Sequence, residues 1–339
     1  MLEQHKCKIY IKASTSPVIL YMILYHASNQ ILLQGQKMTT TTYSQYEIQV
    51  IEQELKLSFQ KLEEYANDVA SLYYIFPINK GNNKKRWISA PKKELKHVQN
   101  ILLHSFLYKA PAHSCAHGFV PQRSIVTNAR PHIRQKWVAN FDIHSFFPST
   151  KIKSVCRTLQ KNFDFSEELN SLLANLLTLK GELPQGAPTS PHLANLIMWD
   201  VDTRLQDYSK EHQLTYTRYA DDLTFSGCNI PRTIQNDISE ILSPFGYKLA
   251  YKKSKILGQH KRQMVTGLVV NEKLNLPRPI RKKLRAIIHD IKKNGMEHAL
   301  GRSDLNFDQL LGHISLQHMW SPQRAQEQLM ELAQALDLV

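Results

Sequence analysis

From Glu47 to Tyr74, apolar side chains recur at helical spacing: Ile48, Ile51, Leu55, Leu62, Tyr65, Val69 and Leu72, with Glu and Lys between them. The spacing predicts an amphipathic helix or a helix pair. In IFPINKGNNKKRWISAP the period shortens, and Gly81-Asn82-Asn83 between short apolar runs is hairpin chemistry. KKELKHVQNILLHSFL returns to the helical period with Leu95, Val98, Ile101, Leu102 and Phe106 inward, and stops before Pro111. KWVANFDIHSFFPS predicts an apolar strand from Trp137 to Ile143 with one carboxylate, Asp142, near its end. Helices are expected around Ile152 to Leu159 and Ser166 to Leu179. A turn at Pro184-Gln185-Gly186 then leads to a helix that starts at Thr189-Ser190-Pro191 and runs through Leu205. TYTRYADDLTFS, Thr215 to Ser226, reads as two strands joined at Ala220-Asp221-Asp222. PRTIQNDISEILSPFG predicts a helix, YKLAYKKSKI and QMVTGLVVN further strands, and residues from Pro279 to Leu338 are helical in pattern.

Asp221 and Asp222 raise an electrostatic question, because two like charges about 4 Å apart repel by roughly 1 kcal/mol even in water. A cation is expected beside them. Asp142 ends a β-segment about 80 residues earlier, so neighbouring antiparallel strands would gather three carboxylates. That set suits hard divalent cations, and a two-ion clamp stabilises both oxygens of a phosphoryl displacement. For the Asp-Asp pair alone, an acidic tip exposed to water is the plainer reading.

Lys and Arg outnumber Asp and Glu by 43 to 29 over 339 residues, which points to a polyanionic partner. Between Lys248 and Arg302, 15 basic residues face only Glu272, Asp290 and Glu297, so +12 of the net +14 lies there. A solvated helix face is the competing explanation. Cys7, Cys115, Cys156 and Cys228 form no CxxC pair, which fits a reducing cytoplasm rather than a disulfide framework. PVILYMILY, Pro17 to Tyr25, is too short for the roughly 20 residues that span a bilayer, so no membrane partner is expected. Met38 opens a polar run, and the residues before it read as an extension or an upstream start of unknown role.

The motifs together resemble a reverse transcriptase, and specifically the bacterial retron type. YADD at Tyr219 to Asp222 is similar to the family's catalytic hairpin and FDIHSFFPS to its first catalytic strand. LPQGAPTSPHLANL resembles its template and nucleotide loop, and INK with RWISAP its fingers hairpin. NARPH, Asn128 to His132, and Val265-Thr266-Gly267 resemble the retron NAxxH and VTG marks. The resemblance implies an α+β right-hand polymerase with fingers, an antiparallel-sheet palm and a short helical thumb. It places fingers at 39–135 and 151–195, palm at 136–150 and 196–272, and thumb at 273–339, after an extension at 1–38.

It also implies roles. Asp142, Asp221 and Asp222, with the carbonyl of Ile143, would hold two Mg2+ ions. Lys80 and Arg86 would bind the incoming dNTP triphosphate, and Phe147 would crowd a ribose 2′-hydroxyl. Gln185 and Gly186 would meet nucleotide and template, and Lys253 would protonate pyrophosphate. Here the chain departs from its relatives, with Ala250 three residues before that lysine where Asn is common and Ser254 in place of Thr. Asn128, His132, Val265, Thr266 and Gly267 would recognise RNA. Arg281, Lys282, Lys283 and Arg285 would grip phosphates from a thumb helix whose Ile280, Leu284, Ile287, Ile288 and Ile291 face inward.

The implied partners are a structured cognate non-coding RNA, its branched RNA–DNA product (msDNA), dNTPs and a separate effector protein in antiphage defence. Other bacterial reverse transcriptases, of group II intron or diversity-generating type, and a non-catalytic RNA-binding scaffold are the alternatives. HSCAH, His113 to His117, could be drawn as a metal site through His113, Cys115 and His117, but no fourth ligand is evident and the segment matches a plain HGF turn.

Overall fold

A computed structural model describes residues 43–79 and 85–336. The helical start resolves into a pair, α1 (Gln45–Leu55) and α2 (Phe59–Asn67), and the Ser58 hydroxyl caps α2 by accepting from Lys61 N. The expected helical run ends sooner than its spacing suggested, because Tyr73 and Tyr74 already belong to β1 (Tyr73–Asn79). β1 pairs antiparallel with β2 (Lys85–Pro91). After α3 (Lys93–Ser105) the chain makes the one-turn helix α4 (Ile125–Ala129), closed by a capping box between Ser124 and Thr127. β3 (Trp137–Asp142) and α5 (Phe146–Ser149) lead to α6 (Ile152–Asn162) and α7 (Glu167–Leu177). The long helix expected from Ser190 is broken: α8 (Ser190–Ile197) gives way to α9 (Trp199–Glu211) at Met198, which stays right-handed but whose ψ of −4° is well off the regular helical value.

The central sheet has the order β4 (Thr215–Tyr219), β5 (Asp222–Gly227), β3, β6 (Lys255–Gly258), and its paired strands run antiparallel. Apolar alternation explains the placement of β3 and β5. Val138, Ala139, Phe141, Leu223 and Phe225 are buried, and burial of such a side chain contributes roughly 1.5–3 kcal/mol. α10 (Ile234–Leu242) packs on α9, where the Tyr208 hydroxyl donates to Asp237 at 2.7 Å.

Two expected strands changed form. Only Lys255–Gly258 of the YKLAYKKSKI segment is a strand; before it, Leu249 bridges Ile143 and Tyr251–Lys253 is a 3₁₀ turn. QMVTGLVVN folds back on itself as β7 (Met264–Val265) and β8 (Leu268–Val269), because Thr266 and Gly267 take φ of 46° and 84° in a two-residue turn. The C-terminal helices are α11 (Arg278–Asn294), α12 (Met296–Gly301), α13 (Phe307–His318) and α14 (Pro322–Ala335). Leu284, Ile287, Ile288 and Ile291 of α11 share a core with Val126 and Ala129 of α4, with Val265 and Leu268, and with Leu310, Ile314, Ala325 and Leu332. The α4 segment and the β7–β8 hairpin are thereby packed against the C-terminal helices. No helix among the described residues is long and apolar enough to cross a membrane.

Candidate active site

Asp142 and Asp222 are direct cross-strand partners on β3 and β5, and Asp222 also faces Tyr219 across the β4–β5 turn. Asp221 occupies that turn beside Ala220, whose φ is 56°, and its carbonyl accepts from Ile143 N at 3.0 Å. The three carboxylates therefore come together through strand register. The Ile143 carbonyl accepts no hydrogen bond among the described residues. Loss of hydration, followed by the charge of Asp142, raises the carboxyl of Asp221 above its ordinary value. Loss of hydration, then the charges of Asp221 and Asp142, pushes Asp222 up to about 6, although its side chain reaches solvent at the strand end. A raised acid next to two others is a cluster short of positive charge. Oxygen donors in this state fit a hard divalent cation.

The cation found there is Lys253. Its Nζ lies 2.7 Å from both oxygens of Asp142. The 3₁₀ turn sets it in place: Ala250 N donates to the carbonyl of Asp142, and Lys253 N to that of Ala250. A cleft of about 740 Å³ opens over these groups, lined also by Arg86, Trp87, Phe119, Ile143, Phe147 and Gln185. Were the strand to continue, Phe146 and Phe147 would face opposite ways as alternating positions. They instead lie on α5, entered through Ser145 at φ 48°, with Phe146 buried against Tyr247 and Phe147 left on the cleft wall. Gly186 has φ 133°, and a Cβ there would stand 2.8 Å from the carbonyl of Ser89. Glycine is required on both counts. Next to it, Ser89 N donates to the carbonyl of Gln185 at 2.8 Å, tying the β1–β2 hairpin to this loop. Lys80 lies outside the described residues.

The residues expected to recognise RNA divide. Asn128 and His132 are fully buried, so direct RNA contact, as expected for them, gives way to a supporting role. The His132 ring is 2.6 Å from the Ser226 hydroxyl and 2.8 Å from that of Thr217, joining β5 to β4 behind the catalytic turn. Val265 is also buried, whereas Gly267 is exposed at its hairpin tip and Thr266 donates to the carbonyl of Ile125. On α11, Lys282 and Arg285 are exposed, but Arg281 is half-buried and Lys283 is ion-paired to Asp304, so the expected outward row of four is reduced.

Burial lowers the pKa of His132 to about 3. A ring kept neutral in the fold but protonated near 6.5 when unfolded costs stability as pH falls below about 6.5 towards 3. Asp222, with its raised value, acts in the opposite direction between about 6 and 3.8. In an Asp222→Asn background, urea midpoints should therefore fall steadily below pH 6.5, and less so when His132 is also replaced by Gln. Equal pH slopes in the two proteins would contradict this. His132→Ala should lower cognate and generic primer extension together, with a loss of about 2–3 kcal/mol for two hydrogen bonds and a cavity.

Sequence reading missed the group beneath the turn. Arg218 on β4 is fully buried; its Nε and Nη2 donate to the two oxygens of Asp202 on α9 at 2.8 and 2.6 Å. Nη1 donates to Asn195 Oδ1 and to the carbonyl of Ala220 at the catalytic turn. A strand position that alternates with Thr217 and Tyr219, on the same face as buried Tyr216, was the available signal. The drawn metal site changes membership here. His113, Cys115 and Asp202 lie together, while His117 turns to the Thr127 hydroxyl at 2.9 Å. Both oxygens of Asp202 are already held by Arg218, and Tyr216 donates to one of them. Burial pushes the thiol of Cys115 far up. The cluster reads as a satisfied core network.

An antiparallel sheet with three carboxylates gathered at one end, beside a cleft walled by a β-hairpin, defines a right-hand nucleic acid polymerase. Residues 78–270 match the family model "Reverse transcriptase (RNA-dependent DNA polymerase)". The chain belongs to the reverse transcriptase family, on its bacterial retron branch. It is 36% identical over 237 residues to the retron Ec86 reverse transcriptase of Escherichia coli, covering 68% of this chain and 74% of that one. It is 34% identical over 320 residues to the retron Mx162 reverse transcriptase of Myxococcus xanthus, covering 83% of this chain and 65% of that protein's length. Among solved structures, an apo telomerase of Candida tropicalis truncated from its C-terminal domain aligns at TM-score 0.43 and 10% identity, over 63% of this chain and 59% of that one.

Proposed function

We propose that this chain copies a structured cognate non-coding RNA into DNA by two-metal phosphoryl transfer. The observation that carries the reading is the register of Asp142 opposite Asp222, with Asp221 in the adjoining turn and Lys253 facing the same cleft. Asp142, Asp221 and Asp222, with the Ile143 carbonyl, would hold two Mg2+ ions. When bound, these ions stabilise charge on the attacking and leaving oxygens. Arg86, together with Lys80, offers a forked and a point-charge donor to a triphosphate. Gln185 and Gly186 bring backbone close to nucleotide and template. Lys253 pairs with Asp142 and would set an ammonium donor beside the leaving pyrophosphate. Fingers, palm and thumb divide as the motif order suggests. If the retron resemblance extends to its products, priming would start from a 2′-hydroxyl of the RNA and give a branched msDNA, in the service of antiphage defence with a separate effector.

Sugar choice tests the cleft directly. The ring of Phe147 stands on the wall where a ribose would lie, and exclusion there is steric. Phe147→Ala should raise the rNTP/dNTP incorporation ratio by about tenfold or more, on the scale of 1–3 kcal/mol for a pocket that gains room. An unchanged ratio removes Phe147 from this role.

A further inference from the structure

After α7 the chain makes a two-residue turn, Lys180-Gly181, in which Leu179 N donates to the carbonyl of Glu182 at 2.9 Å and Glu182 N to that of Leu179 at 3.1 Å. The turn is fastened to the stretch that follows α5, because Ile152 N donates to the carbonyl of Gly181 and Leu183 N to that of Thr150. Lys180 lines the polymerisation cleft, as do Phe147 on α5 and Gln185 two residues beyond Leu183. Both turn residues take left-handed backbone, with φ of 53° at Lys180 and 74° at Gly181. Glycine suits that conformation, whereas a lysine in the first place, where Asn, Asp or Gly is usual, meets a steric cost. Nothing local offsets it. Lys180 is exposed and makes no ion pair among the described residues, and Glu182, the carboxylate of the same turn, is taken by Lys151. An ammonium group held in a cleft on strained backbone, with no carboxylate of its own, points to an anionic ligand.

We infer that Lys180 is a further binding residue for the triphosphate of the incoming nucleotide, reaching it from a different wall of the cleft than Arg86. This rests on the reading of the chain as a polymerase that takes dNTPs. Arg86 enters the cleft from the β1–β2 hairpin, and the ammonium of Lys253 is already held at Asp142. A flexible point charge from the turn after α7 adds a donor on a side that neither of them covers. Its place favours the nucleotide over a phosphate of the template or primer. Backbone bonds tie the turn to the segment that carries Phe147, the residue read as meeting the sugar, and the same strand of chain runs on into Gln185, read as meeting the nucleotide. Lys180 therefore stands in fixed relation to both. Such a contact is made equally before and during phosphoryl transfer, so it acts on nucleotide affinity rather than on the chemical step.

The test is single-nucleotide extension of a DNA primer annealed to a generic RNA template by full-length wild type, Lys180→Asn and Lys180→Arg. Asparagine removes the charge and gives the turn a residue it favours, so Lys180→Asn should melt at or above the wild-type temperature. Its KM for the dNTP should rise about tenfold with kcat nearly unchanged, the signature of a lost charge-assisted contact common to ground and transition states. Inhibition by added pyrophosphate should weaken in step, and Lys180→Arg should restore most of both. The salt dependence of binding to the annealed primer–template should keep its slope. If Lys180→Asn melts early, acylation of lysines in wild type decides: on a dideoxy-terminated primer–template, the next complementary dNTP with Mg2+ should protect Lys180. A wild-type KM in a folded Lys180→Asn, or no protection, overturns the inference. So does an unchanged KM with a salt slope shallower by about 0.7 to 0.9, which would give Lys180 to a nucleic acid phosphate instead. If wild type extends no primer on any RNA template, the polymerase reading has failed and this inference with it. If wild type extends and Lys180→Asn equals it, only the role of Lys180 has failed.

Discussion

Asp222→Asn should lose RNA-templated DNA synthesis by at least about a thousandfold, the scale of removing charge stabilisation of several kcal/mol from a phosphoryl-transfer site. Its fold should not suffer. Asp222 is held up to about 6 by lost hydration and by its two acidic neighbours, which means the ionised form is strained in the folded state at neutral pH. A group whose folded value is raised above 3.8 lowers stability as pH climbs from about 4 to 6, and an amide removes that penalty. The variant should therefore melt at or above the wild-type temperature at pH 7.5 while being inactive. Divalent cation should raise the melting temperature of wild type more than that of the variant, and the gain should shrink below pH 6 as Asp222 takes up a proton. A variant that is inactive because it is unfolded would refute this account of the carboxylates. So would one that polymerises near normally.

The second large effect lies one layer deeper. Asp202→Ala would strand the guanidinium of Arg218 in the core, where removing one member of a buried pair costs about 3–5 kcal/mol. Arg218 also bonds the carbonyl of Ala220, so the loss reaches the catalytic turn as well as the fold. The double replacement Asp202→Leu/Arg218→Met should recover most of the stability, since exchanging a buried ion pair for apolar groups is often neutral. It should not recover full activity, because the bond to Ala220 is gone. Urea denaturation and primer extension on the single and double variants separate the two effects. Equal stability of Asp202→Ala and wild type would show that Arg218 finds other partners.

The catalytic strands were legible because two independent signals coincide there: a β-period of branched and aromatic residues, and carboxylates at strand ends in the family's order. Register did the rest, since strand pairing that buries Phe141, Leu223 and Phe225 also sets Asp142 opposite Asp222. Lys253 was named from its motif, yet the segment was read as continuous strand. Nothing in YKLAYKKSKI announces that the amide of Ala250 will be drawn to the carbonyl of Asp142 and turn the chain. NARPH shows the opposite failure. Polar residue types suggested RNA contact, but burial is decided by what packs on a segment: Asn128 and His132 are enclosed and bonded to Thr217 and Ser226 of the sheet, while Arg130 is left outside. Arg218 was overlooked because a lone arginine in a strand reads as surface until its partner is known. That partner, Asp202, lies 16 residues away on a helix.

The central claim is tested most directly by incubating purified wild-type protein and its copurifying RNA with dNTPs, with and without Mg2+. The account predicts Mg2+-dependent DNA whose sequence is complementary to that RNA, abolished by chelation and absent with Asp222→Asn. DNA made equally well after chelation, or none made from any RNA template in the presence of Mg2+ by a protein that remains folded, would contradict it.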